Sequence, residues 1–228
     1  MGTGEGVPPT GPGPESRARV RFDAINEGWA LLQQQMGTWV LTTLITIIIV
    51  AVVAAIVRRI PVLNGLIIAI PEYLLLAGMA RMALRQIDGG PIAVGDLFDT
   101  GDVVGHIVVA AILIAIGTTI GFVLCILPGI VVGGLWMFTI PLIVDRRLAG
   151  VDAMRESWNT LRGEVVMSAL FWFVMFLLVL VGVVLCGVGV LLAAPLVVLS
   201  VCRLYRDFFP RTMASATDPP VPGVPPVS

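Results

Sequence analysis

Few residues in this chain could do chemistry, and Glu72 is the first to weigh. It follows Pro71 inside a long apolar run, and charged groups in such runs are costly and often functional, though the simpler reading is a structural acid, protonated and hydrogen-bonded to a neighbouring helix or lying near the outer surface, since Leu196 follows Pro195 in the corresponding place. A proline there frees a backbone carbonyl, so a kink beside a carboxyl could form a proton or cation site. Asp96, Asp99 and Asp102, with His106 one turn later, could ligate a divalent cation or relay a proton. The simpler reading is that these carboxylates and Thr100 cap a helix start and favour its positive end. Their spacing does not fit an EF-hand loop. Cys125 and Cys186 sit in matching Val-Leu-Cys strings and could form a disulfide or stay as buried free thiols, while Cys202 has no partner in the pattern. One His, no Lys and no Gly-rich phosphate loop leave no enzyme constellation, and no metal, cofactor or catalytic residue is expected.

The elements that must position these groups are apolar. No residue from Val165 to Cys202 is charged, and from Val103 to Val144 only His106 titrates near neutral pH. A helix needs about 20 apolar residues to cross a bilayer, so each stretch holds two crossings. Hydrophobic residues make up 57% of the 228, charged residues only 13%, and mean hydropathy is +1.00. Soluble domains carry about a quarter charged residues. The sequence therefore predicts an all-α polytopic membrane protein with six transmembrane helices and two interfacial amphipathic helices.

The spans are expected near 38–57, 62–84, 103–127, 130–144, 165–186 and 190–204. Pro128-Gly129 and Gly187-Val188-Gly189 read as turns. The Gly/Pro-rich segment 1–16 and the Pro-rich segment 212–228 read as disordered tails around a membrane domain over 17–211. The N-terminus lacks a signal-peptide pattern, and Gly6 stands where N-myristoylation needs Ser or Thr.

All 14 basic residues are Arg. With an even number of spans and the N-terminus inside, only Arg58 and Arg59 fall outside, which favours cytoplasmic termini and a plasma-membrane location. Arg81, Arg85, Arg146, Arg147, Arg155, Arg162, Arg203 and Arg206 then form a cytoplasmic belt that could meet anionic lipid headgroups, or simply fix topology. A net charge of −1 gives no reason to expect nucleic acid as a partner. The expected partners are membrane lipids and a membrane protein.

An internal repeat is also expected, over about 20–85 and 149–206. Phe22-Asp23-Ala24-Ile25-Asn26-Glu27-Gly28-Trp29 stands 129 positions before Val151-Asp152-Ala153-Met154-Arg155-Glu156-Ser157-Trp158. Phe22, Ile25, Trp29, Leu32 and Met36 step by 3, 4, 3, 4, as do Val151, Met154, Trp158, Leu161 and Val165. That spacing makes an apolar stripe on a helix, expected in the acyl boundary with Trp at headgroup level. Each copy precedes a two-span hairpin whose second span carries a proline, Pro71 or Pro195.

The Asp-Ala-x-x-Glu-x-Trp helix, Gly95-Asp96-Leu97-Phe98, Leu127-Pro128-Gly129-Ile130, Ile140-Pro141-Leu142-Ile143-Val144-Asp145 and Tyr205-Arg206-Asp207 together carry a resemblance. Over about 21–209 the chain resembles bacterial six-helix membrane proteins. That group includes the membrane domain attached to some glycerophosphodiester phosphodiesterases, and stand-alone relatives. The phosphodiesterase catalytic domain is not in this sequence, so that activity does not carry over with the likeness. Taken together, the residues favour a bacterial inner-membrane scaffold or accessory protein, without enzymatic activity, that organises lipid or a partner. A small permease with Glu72 in its pathway is the alternative. A membrane enzyme acting on headgroups would need metal at Asp96–Asp102.

Overall fold

The computed structural model describes residues 19–57, 64–124, 126–185 and 189–210. The expected tails, the Arg58-Arg59 loop and the Cys125–Cys186 pairing lie outside the described residues. Among the described residues every regular element is helical. The α-helices are α1 (Asp23–Gln34), α2 (Met36–Val57), α3 (Asn64–Ile87), α4 (Val104–Leu124), α5 (Ile126–Leu135), α6 (Thr139–Arg146), α7 (Gly150–Leu161), α8 (Val165–Val184) and α9 (Val190–Phe208). Short 3-10 turns cover Val94–Phe98 and Arg162–Glu164.

Helix α2 is apolar on all sides and leaves Leu41, Leu44, Ile48, Val52 and Ile56 exposed. Helix α8 does the same with Val166, Leu170, Leu177 and Val184. A helix that is greasy outward as well as inward suits a lipid solvent, where its backbone groups are satisfied internally. Among the described residues three helical segments are long and apolar enough to cross a membrane: Met36–Val57, Gly129–Arg146 and Gly150–Val184. In the last, α7 carries Asp152, Arg155 and Glu156, so the uncharged length is α8. Helices α3 and α9 run 24 and 19 residues but each bears three charged side chains: Glu72, Arg81 and Arg85 in one, Arg203, Arg206 and Asp207 in the other.

The fourth expected span is not one helix. It is α5 and α6, broken at Trp136–Phe138. The Ser157 hydroxyl, from α7, donates to Leu135 O at 2.6 Å and accepts from Phe138 N at 3.3 Å. One buried side chain thus satisfies two backbone groups that the break would orphan. Pro128-Gly129 is not a turn either; both residues lie inside α5.

Helix α9 is the hub, packed by α1, α2, α3 and α8. Its Leu199, Cys202, Leu204 and Tyr205 are fully or almost fully buried. Helix α1 lies on it through Ala24, Gly28 and Leu32. Gly28 permits the approach, because a Cβ there would stand 2.7 Å from Ser200 Oγ and 3.1 Å from its amide nitrogen. Helix α7 buries Ala153, Ser157 and Leu161, 129 positions on, against α4, α5 and α6. The expected stripes therefore do not face one way. Leu32, Met154 and Leu161 turn into the protein, while Trp29, Met36, Val151 and Trp158 remain exposed. The small residues let each helix approach so closely that the neighbouring leucines are drawn into the core.

The end of α2 is tied in by a polar clasp. Buried Trp39 Nε1 donates to Gln86 Oε1 at 2.7 Å, and Gln86 Nε2 donates to Leu31 O at 2.7 Å. Three helices meet there, and every polar atom of the Gln86 amide has a partner, as burial requires.

Candidate functional site

The residues that converge lie at one end of the bundle, where α3, α6 and α9 finish. Arg206, in the last turn of α9, is 7% exposed. Its Nη1 and Nη2 donate to Asp145 Oδ2 and Oδ1 at 2.8 and 2.9 Å, a two-pronged contact. Nη2 also donates to Asp88 Oδ2 at 2.8 Å. Tyr205 donates its hydroxyl to Asp145 Oδ2 at 2.8 Å. The guanidinium fork matches a carboxylate's two oxygens, and charge assistance makes such bonds the strong ones. A charge taken out of water here is compensated from two other elements, so the cluster joins the end of α9 to α6 and to the turn after α3.

Beside it, three arginines are more open. Arg81 donates to Asp102 at 2.7 Å and lies 3.5 Å from Asp99. Arg85 reaches Asp96 at 2.6 Å and Asp99 at 3.7 Å. Arg147 reaches Asp102 at 3.2 Å with its side chain 73% exposed. The three carboxylates come from the 3-10 turn Val94–Phe98 and the loop that follows. Gly78 brings that segment onto α3, since any Cβ there would collide with Leu97 O. Burial tends to raise the Asp102 carboxyl, but its hydrogen bond to Arg81 and the charges of Arg81 and Arg147 outweigh this and hold it below the usual carboxylate range. Asp96 also caps locally, accepting from Ala93 N at 2.9 Å.

Two cavities adjoin these groups. A polar one of about 330 Å³ is lined by Arg81, Arg85, Asp88, Asp145, Arg147 and Arg206, with Leu84, Gly90 and Val144. An apolar one of about 320 Å³ lies among α3, α4, α5, α6, α8 and α9, with Ala80, Trp136, Pro141, Trp172, Val197 and Cys202 in its wall.

The expected site residues fall into separate places. Glu72 is exposed on α3 and lines neither cavity. Asp96, Asp99 and Asp102 point to arginines, His106 is exposed on α4, and among the described residues no group of three or more His, Cys, Asp or Glu is disposed to hold a metal ion. Cys202 is fully buried. The arginine belt is not uniform. Arg206 is 7% exposed and paired with Asp145 and Asp88. Arg203 pairs with Glu27 and Asp207, joining α1 to α9. Arg146 stacks over the Phe209 ring at 4.6 Å. Arg155 is 74% exposed beside Asp152, and Arg162 is exposed.

Sequence reasoning missed Asp88, Asp145 and Tyr205 as partners of Arg206. A signal was present: Asp145 and Tyr205-Arg206 are polar groups ending two apolar helices, where an uncompensated charge would be expensive.

No family model matches the chain, and no solved structure matches it. Curated relatives are the uncharacterized protein Rv2560 of Mycobacterium tuberculosis and the uncharacterized protein Mb2590 of Mycobacterium bovis. Each is 32% identical over 151 residues, 66% of this chain and 46% of the relative. The chain thus spans about half the length of the curated relatives it matches.

Proposed function

We propose that this chain is a six-span inner-membrane protein with both termini in the cytoplasm, and that it works without catalysis as a scaffold or accessory protein organising lipid or a partner. The spans would be α2, α3, α4, the bent α5–α6 pair, α8 and α9. The charged ends of α3, α6 and α9 would face the cytoplasm, in keeping with the arginine asymmetry. The likeness to membrane domains of glycerophosphodiester phosphodiesterases rests on sequence motifs alone.

The observation that carries this reading is how the charges are used. Carboxylates and guanidiniums meet as ion pairs that join helices, at Arg206–Asp145–Asp88 and Arg81–Asp102, and not as a nucleophile with its base. The permease reading needs Glu72 on a pathway, and Glu72 borders neither cavity.

Glu72→Gln tests this. In proteoliposomes, the wild type and the folded Gln variant should show the same pH-dependent ion leak as empty vesicles. A proton-coupled flux in the wild type that is lost in a folded Gln variant would replace the scaffold with the permease.

A further inference from the structure

The two cavities share three helices and lie one helical turn apart. Ala80 of α3 walls the apolar cavity and Leu84 the polar one; Pro141 and Asp145 do the same on α6, and Cys202 and Arg206 on α9. Each pair is separated by four residues, about 6 Å along a helix. A greasy chamber therefore abuts a charged one, in the order that an amphiphile would present them.

The lining of the polar chamber is rich in guanidiniums. Its wall holds four guanidiniums, Arg81, Arg85, Arg147 and Arg206, against two carboxylates, Asp88 and Asp145. Asp96, Asp99 and Asp102 are not in the wall, and they pair with Arg81, Arg85 and Arg147. Each guanidinium has five N–H donors, so one or two carboxylate contacts leave donors to spare. Phosphate oxygens are what such forks bind well. The apolar chamber is of small-ligand size, at the lower end of the roughly 300–1,000 Å³ range. It reaches the bundle's surface at Phe176, which is 45% exposed.

We infer that the α3–α6–α9 seam binds one anionic phospholipid, with its phosphate among Arg81, Arg85 and Arg147 and an acyl chain in the apolar cavity. This rests on the membrane reading above and gives the lipid a specific seat. Arg206, already held by two carboxylates, is the floor of that seat.

Trp136 and Trp172 in the apolar wall supply a built-in probe. The full chain is placed in phosphatidylcholine nanodiscs, and phosphatidylglycerol with brominated acyl chains is added at low mole fraction. Tryptophan quenching should saturate, and Trp136→Phe with Trp172→Phe should remove the saturable part. Arg85→Gln with Arg147→Asn should raise the midpoint about tenfold, as loss of a charge-assisted contact implies. Asn is chosen because residue 147 has a left-handed backbone, φ 54°. Val197→Phe should fill the chamber and cut the amplitude while leaving the arginines intact.

Equal quenching by brominated phosphatidylcholine, indifferent to the arginine changes, would mean ordinary boundary lipid and overturn the inference. Displacement of the lipid by submillimolar glycerol phosphate would also overturn it, by making the pocket a soluble-phosphate site. The comparison of the two lipids needs no variant, so misfolding of a variant cannot mask the answer. Failure of the membrane topology would show in cysteine accessibility, which this binding measurement leaves untouched.

Discussion

Arg206 and Arg85 stand on the same cavity wall and do opposite work. Arg206 is 6% exposed at the side chain and tied to Asp145 and Asp88 from two other elements. Arg85 is 39% exposed, and its carboxylates come from a single adjacent segment. Solvent screens the second set and hardly reaches the first. The difference teaches that a set of like residues at one end of a helical bundle can divide into a lock that joins helices and a more open rim.

The widest separation between the two should appear in stability. Arg206→Gln strips the largely buried Asp145 of its two-pronged partner, and should cost about 3–5 kcal/mol, as for other broken buried pairs. Arg85→Gln should cost about 1 kcal/mol or less. Unfolding of both variants in the same detergent measures the gap, and equal losses would abolish the distinction between lock and rim. Ser157→Ala comes next. It strips Leu135 O and Phe138 N of their shared partner, at about 1–3 kcal/mol. A variant as stable as the wild type would mean that the break between α5 and α6 holds itself.

The smallest effect concerns the rim and pH. Asp102 has a lowered folded-state affinity for protons, so its contribution is present above the unfolded carboxylate range, about pH 3.9, and is lost as pH falls through its lower folded value. The wild type should lose slightly more stability than Asp102→Asn between about pH 5 and pH 2. Identical pH profiles would show that the Arg81–Asp102 contact contributes nothing measurable.

Much of the architecture could be read from composition. Runs without charge make long helices, and the two Trp-bearing segments at 22–29 and 151–158 both lie in helices α1 and α7 or at their edges. The break at Trp136–Phe138 could not be read, because its cause is Ser157, 22 residues beyond Leu135. The orientation of the apolar stripes was hidden for the same reason: Gly28 says that something comes close, but not that it is Ser200 of α9. At the site, the arginines were visible as a class. Their division was not, since Arg206 is neutralised across 61 and 118 positions of sequence.

The most direct test of the account is which side of the membrane holds the arginine-rich end. Single cysteines at Asp99 and Asn159, both exposed, and at Asn64, the first residue of α3, can be labelled in intact cells with a membrane-impermeant maleimide, after Cys125, Cys186 and Cys202 are replaced by Ala or Ser. The account predicts labelling of Asn64→Cys from outside, and labelling of Asp99→Cys and Asn159→Cys only after the cells are permeabilised. Labelling of Asp99→Cys and Asn159→Cys in intact cells would put the arginine pocket on the wrong face and contradict it.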